Sequence, residues 1–224
     1  MTETTPTPLE RVQLNATADA DSAVIWLHGL GADGNDFAPL FQGAGGALAH
    51  TRILLPHAPV QPVTINGGMT MRAWYDIESP DLRETPDLAG IRHSAQQVAD
   101  LIRELEGDGI PAARIVLGGF SQGAVMALWT GLGFPRRLAG IAALSGYLPA
   151  EPPLDDAQGA TPVFMAHGRQ DSLIPCHLGE AARDQLADRM EQSPRWRAYP
   201  MDHGVNEDEA AELLAWLGEV LGRG

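Results

Sequence analysis

The chain contains no lysine. All fifteen of its basic residues are arginine, set against twenty-nine aspartates and glutamates, for a formal net charge of −14 and a pI near 4.7. A surface so short of positive charge excludes nucleic acid and anionic membranes as partners, since both select basic patches, and leaves a neutral or at most cationic substrate. Cysteine is nearly absent too: Cys176 stands alone, so no intrachain disulfide can form. No apolar run approaches the roughly 18 residues of a transmembrane helix, and there is no internal repeat or low-complexity linker. The polar start Met1-Thr2-Glu3-Thr4-Thr5-Pro6 lacks the charged and apolar regions of a signal peptide. A cytoplasmic protein without stable membrane association is expected.

What is present is a regular alternation. Continuous apolar runs at residues 23–27, 53–55 (within the strand 52–56), 115–117, 138–144 and 162–166, with a further strand around Trp196 to Tyr199, read as buried strands separated by helical segments. This order predicts an α/β protein with a mostly parallel sheet flanked by helices on both faces. At 224 residues, one domain spanning 9–224 is expected after a flexible tail at 1–8. Leu9, Val12 and Leu14 fit an edge strand, and Asn66-Gly67 suggests the turn of a small hairpin within 63–71. Thr85-Pro86-Asp87 offers a helix start with a capping residue and proline in the first turn. Residues 57–86 are too long for a simple loop; they either wall a ligand pocket or fill a small core of their own.

The chemistry concentrates at Gly119-Phe120-Ser121-Gln122-Gly123, between the apolar strand 115–117 and the apolar helix that Val125, Met126, Leu128 and Trp129 announce. A sharp strand-to-helix turn of this kind exposes a serine hydroxyl above a sheet, and glycines two positions to either side keep the backbones from colliding. The helix N-terminus then favours negative charge developing at the serine. A second glycine-rich loop, His28-Gly29-Leu30-Gly31, leaves the strand 23–27. Oxyanion stabilisation needs two backbone donors, one following the nucleophile and one from an earlier loop, and the Gln122 and Leu30 amides suit these roles.

A serine needs a base, and the base needs a carboxylate. In this architecture the chain order is serine, acid, histidine, which leaves His203 and His177. His203 is preferred because its loop enters the last helix on the side where strands end, with Asn206 and Glu209 as a capping pair, while His177 lies close to the acid in sequence. Asp171, after the strand 162–166, is the expected acid, with Asp155 and Asp156 as alternatives. A zinc site is not expected, because no His/Asp pair has ligand spacing on one helix, and Cys176 lies in no elbow.

Taken together, His28-Gly29-Leu30-Gly31-Ala32-Asp33-Gly34-Asn35-Asp36-Phe37, the elbow around Ser121, Asn66-Gly67-Gly68-Met69, Met71-Arg72-Ala73-Trp74-Tyr75-Asp76, Ser145-Gly146-Tyr147-Leu148, His167-Gly168 and His203 resemble the acyl-protein thioesterase/carboxylesterase family. The resemblance runs over nearly the whole chain beyond the tail. It implies an α/β-hydrolase fold without a large lid, Ser121, Asp171 and His203 as catalytic triad, and the Leu30 and Gln122 amides as oxyanion hole. Leu30, Trp74, Leu173 and Val205 are the expected substrate-binding residues. The resemblance further implies hydrolysis of carboxylic esters of short to medium acyl chain, with acyl thioesters and lysophospholipids as further substrates, no cofactor, and a homodimer. The chain departs from the family pattern twice: Ser172 follows the acid where proline is usual, and Asp202 precedes His203 where glycine is usual. If that position has positive φ, aspartate tolerates it well, and a carboxylate facing the imidazole would favour its charged form. Two other readings of the same scaffold are a ligand-binding protein without turnover and a lactone or peptide hydrolase.

Overall fold

The computed structural model describes residues 9 to 222 except 18 and 83, so the expected tail at 1–8 lies outside the described residues. In chain order the elements are β1 (Arg11–Leu14), β2 (Ser22–Leu27), α1 (Ala38–Gly43), β3 (Thr51–Pro56), β4 (Val60–Val63), β5 (Met69–Arg72), α2 (Leu88–Gly107), β6 (Ile115–Phe120), α3 (Gln122–Leu132), β7 (Gly140–Leu144), β8 (Val163–Gly168), α4 (Cys176–Ala187), β9 (Arg195–Tyr199) and α5 (Glu207–Val220). Seven strands form one sheet in the order β1-β3-β2-β6-β7-β8-β9. Only β1 runs antiparallel to its neighbour, at the edge, as its alternating sequence suggested.

Alternation along the strands divides the core in two. Ala23, Ile25 and Leu27 of β2, with Ile115 and Leu117 of β6, face the side covered by α2, α3 and α4. Val24, Trp26 and Val116 face the opposite side, where Phe41 of α1 and Leu213, Trp216 and Leu217 of α5 close over them. Both faces of the central strands are therefore dry, which explains their unbroken apolar sequence. Helix α2 shows the matching helical period: Ile91, Val98, Leu101, Ile102 and Leu105 are all buried. Its start differs from the sequence reading. Asp87, not Thr85, is the cap, accepting from the Gly90 amide at 2.8 Å, and Pro86 lies outside the helix.

Strands β4 and β5 form a separate hairpin with Val63 opposite Met69, turning through a short 3-10 segment and Gly67-Gly68. It stands over the carboxyl edge of the large sheet. From that edge also emerge the loops after β2, β6, β8 and β9, the usual place for ligands in open α/β sheets. Among the described residues no helix is long and apolar enough to cross a membrane.

The last helix carries an unusual group. Asn206 caps α5 by accepting from the Glu209 amide at 2.8 Å, but the other half of the expected pair is missing. The Glu209 side chain is buried and neither carboxylate oxygen has a hydrogen-bond partner among the described residues. Burial alone therefore raises its pKa from 4.5 to about 8. Between these values the unfolded chain has released the proton that the folded chain retains. This contribution to stability is full below the unfolded value and is lost as pH rises through the folded one. The difference in unfolding free energy between wild type and Glu209→Gln should shift toward the variant by about 1.4 kcal/mol per pH unit within that window. Denaturant melts of both proteins from pH 5 to 8 measure it; a difference independent of pH would show that Glu209 does not titrate there.

Candidate active site

The turn between β6 and α3 is set by contact with β2. A Cβ on Gly123 would lie 2.1 Å from the Leu27 carbonyl oxygen, and one on Gly119 would lie 2.4 Å from the Gly123 backbone. Only glycine fits at either position. Between them Ser121 takes φ +56° and ψ −120°, a conformation that side-chain-bearing residues rarely adopt, and its amide is anchored to the Leu144 carbonyl at 2.9 Å. The strained turn lifts the hydroxyl off the sheet.

His203 and Asp171 reach that hydroxyl from neighbouring loops. His203 Nε2 lies 3.0 Å from Ser121 Oγ, and His203 Nδ1 lies 2.7 Å from Asp171 Oδ2. The carboxylate dictates the tautomer: Nδ1 carries the hydrogen, and Nε2 is free to accept from the serine. Phe120 packs against the imidazole with ring centroids 4.8 Å apart. Asp171 is buried, and its Oδ1 accepts from the Leu173 and Ile174 amides at 3.0 and 2.8 Å. Burial alone would raise its pKa. Hydrogen bonds from His167, His203 and the Ile174 amide outweigh that and hold it well below the usual carboxylate range.

His167 is a partner given no role in the sequence reading, where it is named only among the motifs of the family resemblance. It is fully buried, with Nε2 2.8 Å from the Ile174 carbonyl and 3.3 Å from Asp171 Oδ2, so that nitrogen carries the hydrogen. Its place five residues before Ser172, at the end of a buried strand, was the available signal. The alternatives lie elsewhere. Asp155 caps a short 3-10 turn by accepting from the Ala157 amide at 2.9 Å, and neither it, Asp156 nor His177 lines the cavity around Ser121. Burial raises the Cys176 pKa, keeping it a thiol. Among the described residues no three His, Cys, Asp or Glu side chains gather as a metal ligand set.

Leu30 and Gln122 flank Ser121 in the same cavity. As the first residue of α3, Gln122 has an amide with no carbonyl one turn earlier to bond, so it is available to a ligand. The Leu30 loop runs against the serine: a Cβ on Gly29 would lie 3.3 Å from Ser121 Cβ. Gly31, at φ +75°, bonds through its amide to the Arg72 carbonyl at 2.9 Å. The cavity encloses about 770 Å³, and its walls are mainly apolar, with Leu30, Ile65, Ile77, Leu173 and Val205 among them. Tyr75 and Tyr147 meet at its wall with hydroxyls 3.4 Å apart, and burial keeps both protonated.

Trp74 is a correction. It does not line the cavity but is fully buried, donating through Nε1 to the His28 carbonyl at 2.9 Å. Its backbone amide donates to Gln122 Oε1 at 2.8 Å, and Gln122 Nε2 donates to the Tyr75 carbonyl at 2.7 Å. The segment after β5 is thereby clamped to the start of α3, and the next residue, Tyr75, faces the substrate space instead. Asp202 meets neither condition that the sequence left open. Its φ is not positive, and its carboxylate accepts from Ser172 and from the His203 amide.

A serine hydroxyl bonded to a carboxylate-paired imidazole, at the floor of an apolar cavity and beside two backbone amides, is an arrangement suited to acyl transfer. Known proteins agree with that reading. The family model described as Phospholipase/Carboxylesterase matches residues 10–220. An acyl-protein thioesterase 1 of Yarrowia lipolytica is 37% identical over 221 residues, covering 95% of this chain and 97% of its own. The Neurospora crassa protein of the same name is 39% identical over 220 residues, covering 92% and 89%. Among solved structures, Zea mays acyl-protein thioesterase 2 superposes with a TM-score of 0.83 at 26% identity, covering 95% of this chain and 99% of its own. On the strength of these matches along almost its entire length, the chain belongs to the phospholipase/carboxylesterase family of α/β-hydrolases.

Proposed function

We propose that Ser121, His203 and Asp171 are nucleophile, general base and orienting acid of a serine hydrolase that cleaves carboxylic esters and acyl thioesters. The observation that carries the assignment is the continuous relay of 3.0 and 2.7 Å from Ser121 Oγ through the imidazole to Asp171. Ser121 Oγ attacks the acyl carbon while its proton passes to His203 Nε2. The oxygen of the tetrahedral adduct takes up negative charge against the Leu30 and Gln122 amides. Collapse expels the alcohol or thiol, which leaves with the proton from Nε2, and the acyl group stays on Ser121. Water then gives a proton to Nε2, attacks the acyl-enzyme, and releases the acid as the proton returns to Oγ.

The cavity supports substrates of short to medium acyl chain, including thioesters and lysophospholipids. Among the described residues that line it, Asp36 is the only carboxylate and none is an arginine, so an anionic acyl group meets no counter-charge from them. The acidic chain and its lone cysteine support a cytoplasmic setting, and the family resemblance supports a homodimer, which sedimentation would measure.

Hydrolysis of p-nitrophenyl esters from acetate to decanoate, with one acyl thioester alongside, tests the reading. Wild type should be most active on the short and medium chains, and Ser121→Ala should lose on the order of a million-fold in turnover. Failure to find any turnover dependent on Ser121 would overturn the assignment and favour a binding protein. The acid limb of log kcat/KM against pH should have unit slope, because Asp171 is held well below the usual range and stays ionised there. A slope of two would mean that Asp171 protonates with the base.

A further inference from the structure

We propose that Ser172 and Asp202 form a bracket that sets the register between the loop carrying the acid and the loop carrying the base, and so are positioning residues for the Asp171–His203 pair. The proposal rests on the roles just given to Ser121, His203 and Asp171.

Strands β8 and β9 pair in parallel up to Gly168 and Tyr199. Their ladder continues past the strand ends: the Arg169 amide donates to the Tyr199 carbonyl at 2.8 Å, and the Gln170 amide to the Met201 carbonyl at 3.0 Å. The two chains touch here, since a Cβ on Gly168 would lie 2.5 Å from the carbonyl oxygens of Met201 and Asp202. Beyond this point one chain turns to present Asp171 and the other to present His203. The next rung of the ladder has a side chain as acceptor. Asp202 Oδ1 accepts from the Ser172 amide at 2.9 Å and from Ser172 Oγ at 3.0 Å, with Oδ2 3.3 Å from the same hydroxyl. The same Oδ1 accepts from the His203 amide at 2.8 Å. One carboxylate thus ties the residue after the acid to the backbone of the base.

The rungs at Arg169 and Gln170 join the two chains ahead of Asp171, whereas the Ser172–Asp202 contact joins them beyond it. The bonds from Leu173 and Ile174 to Asp171 shape the acid loop internally but do not locate it against the base loop. Neither Ser172 nor Asp202 lines the cavity, so neither meets substrate directly. Hydrogen bonds to an ionised acceptor are the strong class, and a displacement near the chemistry as small as about 1 Å can cost on the order of a hundred-fold in rate.

The test compares Asp202→Ala, Asp202→Asn, Ser172→Ala and Ser121→Ala with wild type, well below their melting temperatures, with turnover expressed per competent site from the acyl-enzyme burst. Asp202→Ala should lower kcat about ten-fold with KM little changed, and Ser172→Ala should have a smaller effect in the same direction. Asp202→Asn keeps the Oδ1 acceptor while losing the charge, and should return kcat to near wild type. The acid limb of the kcat profile should move to lower pH in Asp202→Ala, as the imidazolium loses its aligned partner, and return in Asp202→Asn. Unchanged kcat in Asp202→Ala, or an Asn variant as impaired as the Ala variant, would overturn the bracket. A second readout is independent of turnover: the proton NMR signal of His203 Nδ1–H should broaden or shift upfield in Asp202→Ala and persist in Asp202→Asn. An unaltered signal in Asp202→Ala overturns the proposal even if the nucleophile assignment stands. Loss of Ser121-dependent turnover in wild type would instead strike that assignment alone.

Discussion

At the turn after β6 the backbone of Gly123 presses so closely on the Leu27 carbonyl that a single methyl group would meet it at 2.1 Å. This contact between the first turn of α3 and the end of β2 is the constraint on which the site depends. It forces Ser121 into positive φ and raises its hydroxyl above the sheet. Because Leu27 leads directly into His28-Gly29-Leu30, it also brings the Leu30 loop alongside the serine. Gln122 extends the constraint outward, since its buried amide side chain bonds both Trp74 and Tyr75 and so fixes the segment that closes the cavity.

The charges at the site are arranged around one buried carboxylate. Asp171 would be a poor anion in that environment, but His203, His167 and the Leu173 and Ile174 amides all direct hydrogens at its two oxygens. Four donors fill the acceptor sites of a carboxylate, which keeps it ionised and in one rotamer. His167 serves this arrangement from inside the core, where Gly179 leaves room for its ring: a Cβ there would lie 2.4 Å from His167 Nδ1. Glu209 shows the opposite outcome. More deeply buried and with no donor among the described residues, it has its pKa raised to about 8.

Ser172 and Asp202, which the sequence singled out as unusual against the family pattern it resembles, are bonded to each other. The sequence alone left open where the Asp202 carboxylate points. The fold turns that carboxylate onto the neighbouring loop, where it continues the β8–β9 ladder. The described residues lining the cavity beside it are mainly apolar and include no arginine, in keeping with a chain whose positive charge is scarce throughout.

The sequence by itself determined the sheet and the elbow and pointed to Ser121, Asp171 and His203, because these depend on local signals: unbroken apolar strands, glycines at fixed offsets, and the order of residues along the chain. Element ends were less legible. Asp87 rather than Thr85 caps α2, since competing side chains near a helix start differ only in which one the tertiary structure aims at the free amides. Pocket membership was decided by the tertiary structure alone. Trp74 and Tyr75 are adjacent and both aromatic, yet one is sealed in the core and the other faces the cavity, while Gln122, nearly fifty residues away, bonds the Trp74 amide and the Tyr75 carbonyl on either side of the pair. The same holds for His167 and Asp202. Their roles come from contacts across loops, and no pattern within a short window of sequence encodes which distant group a polar side chain will meet.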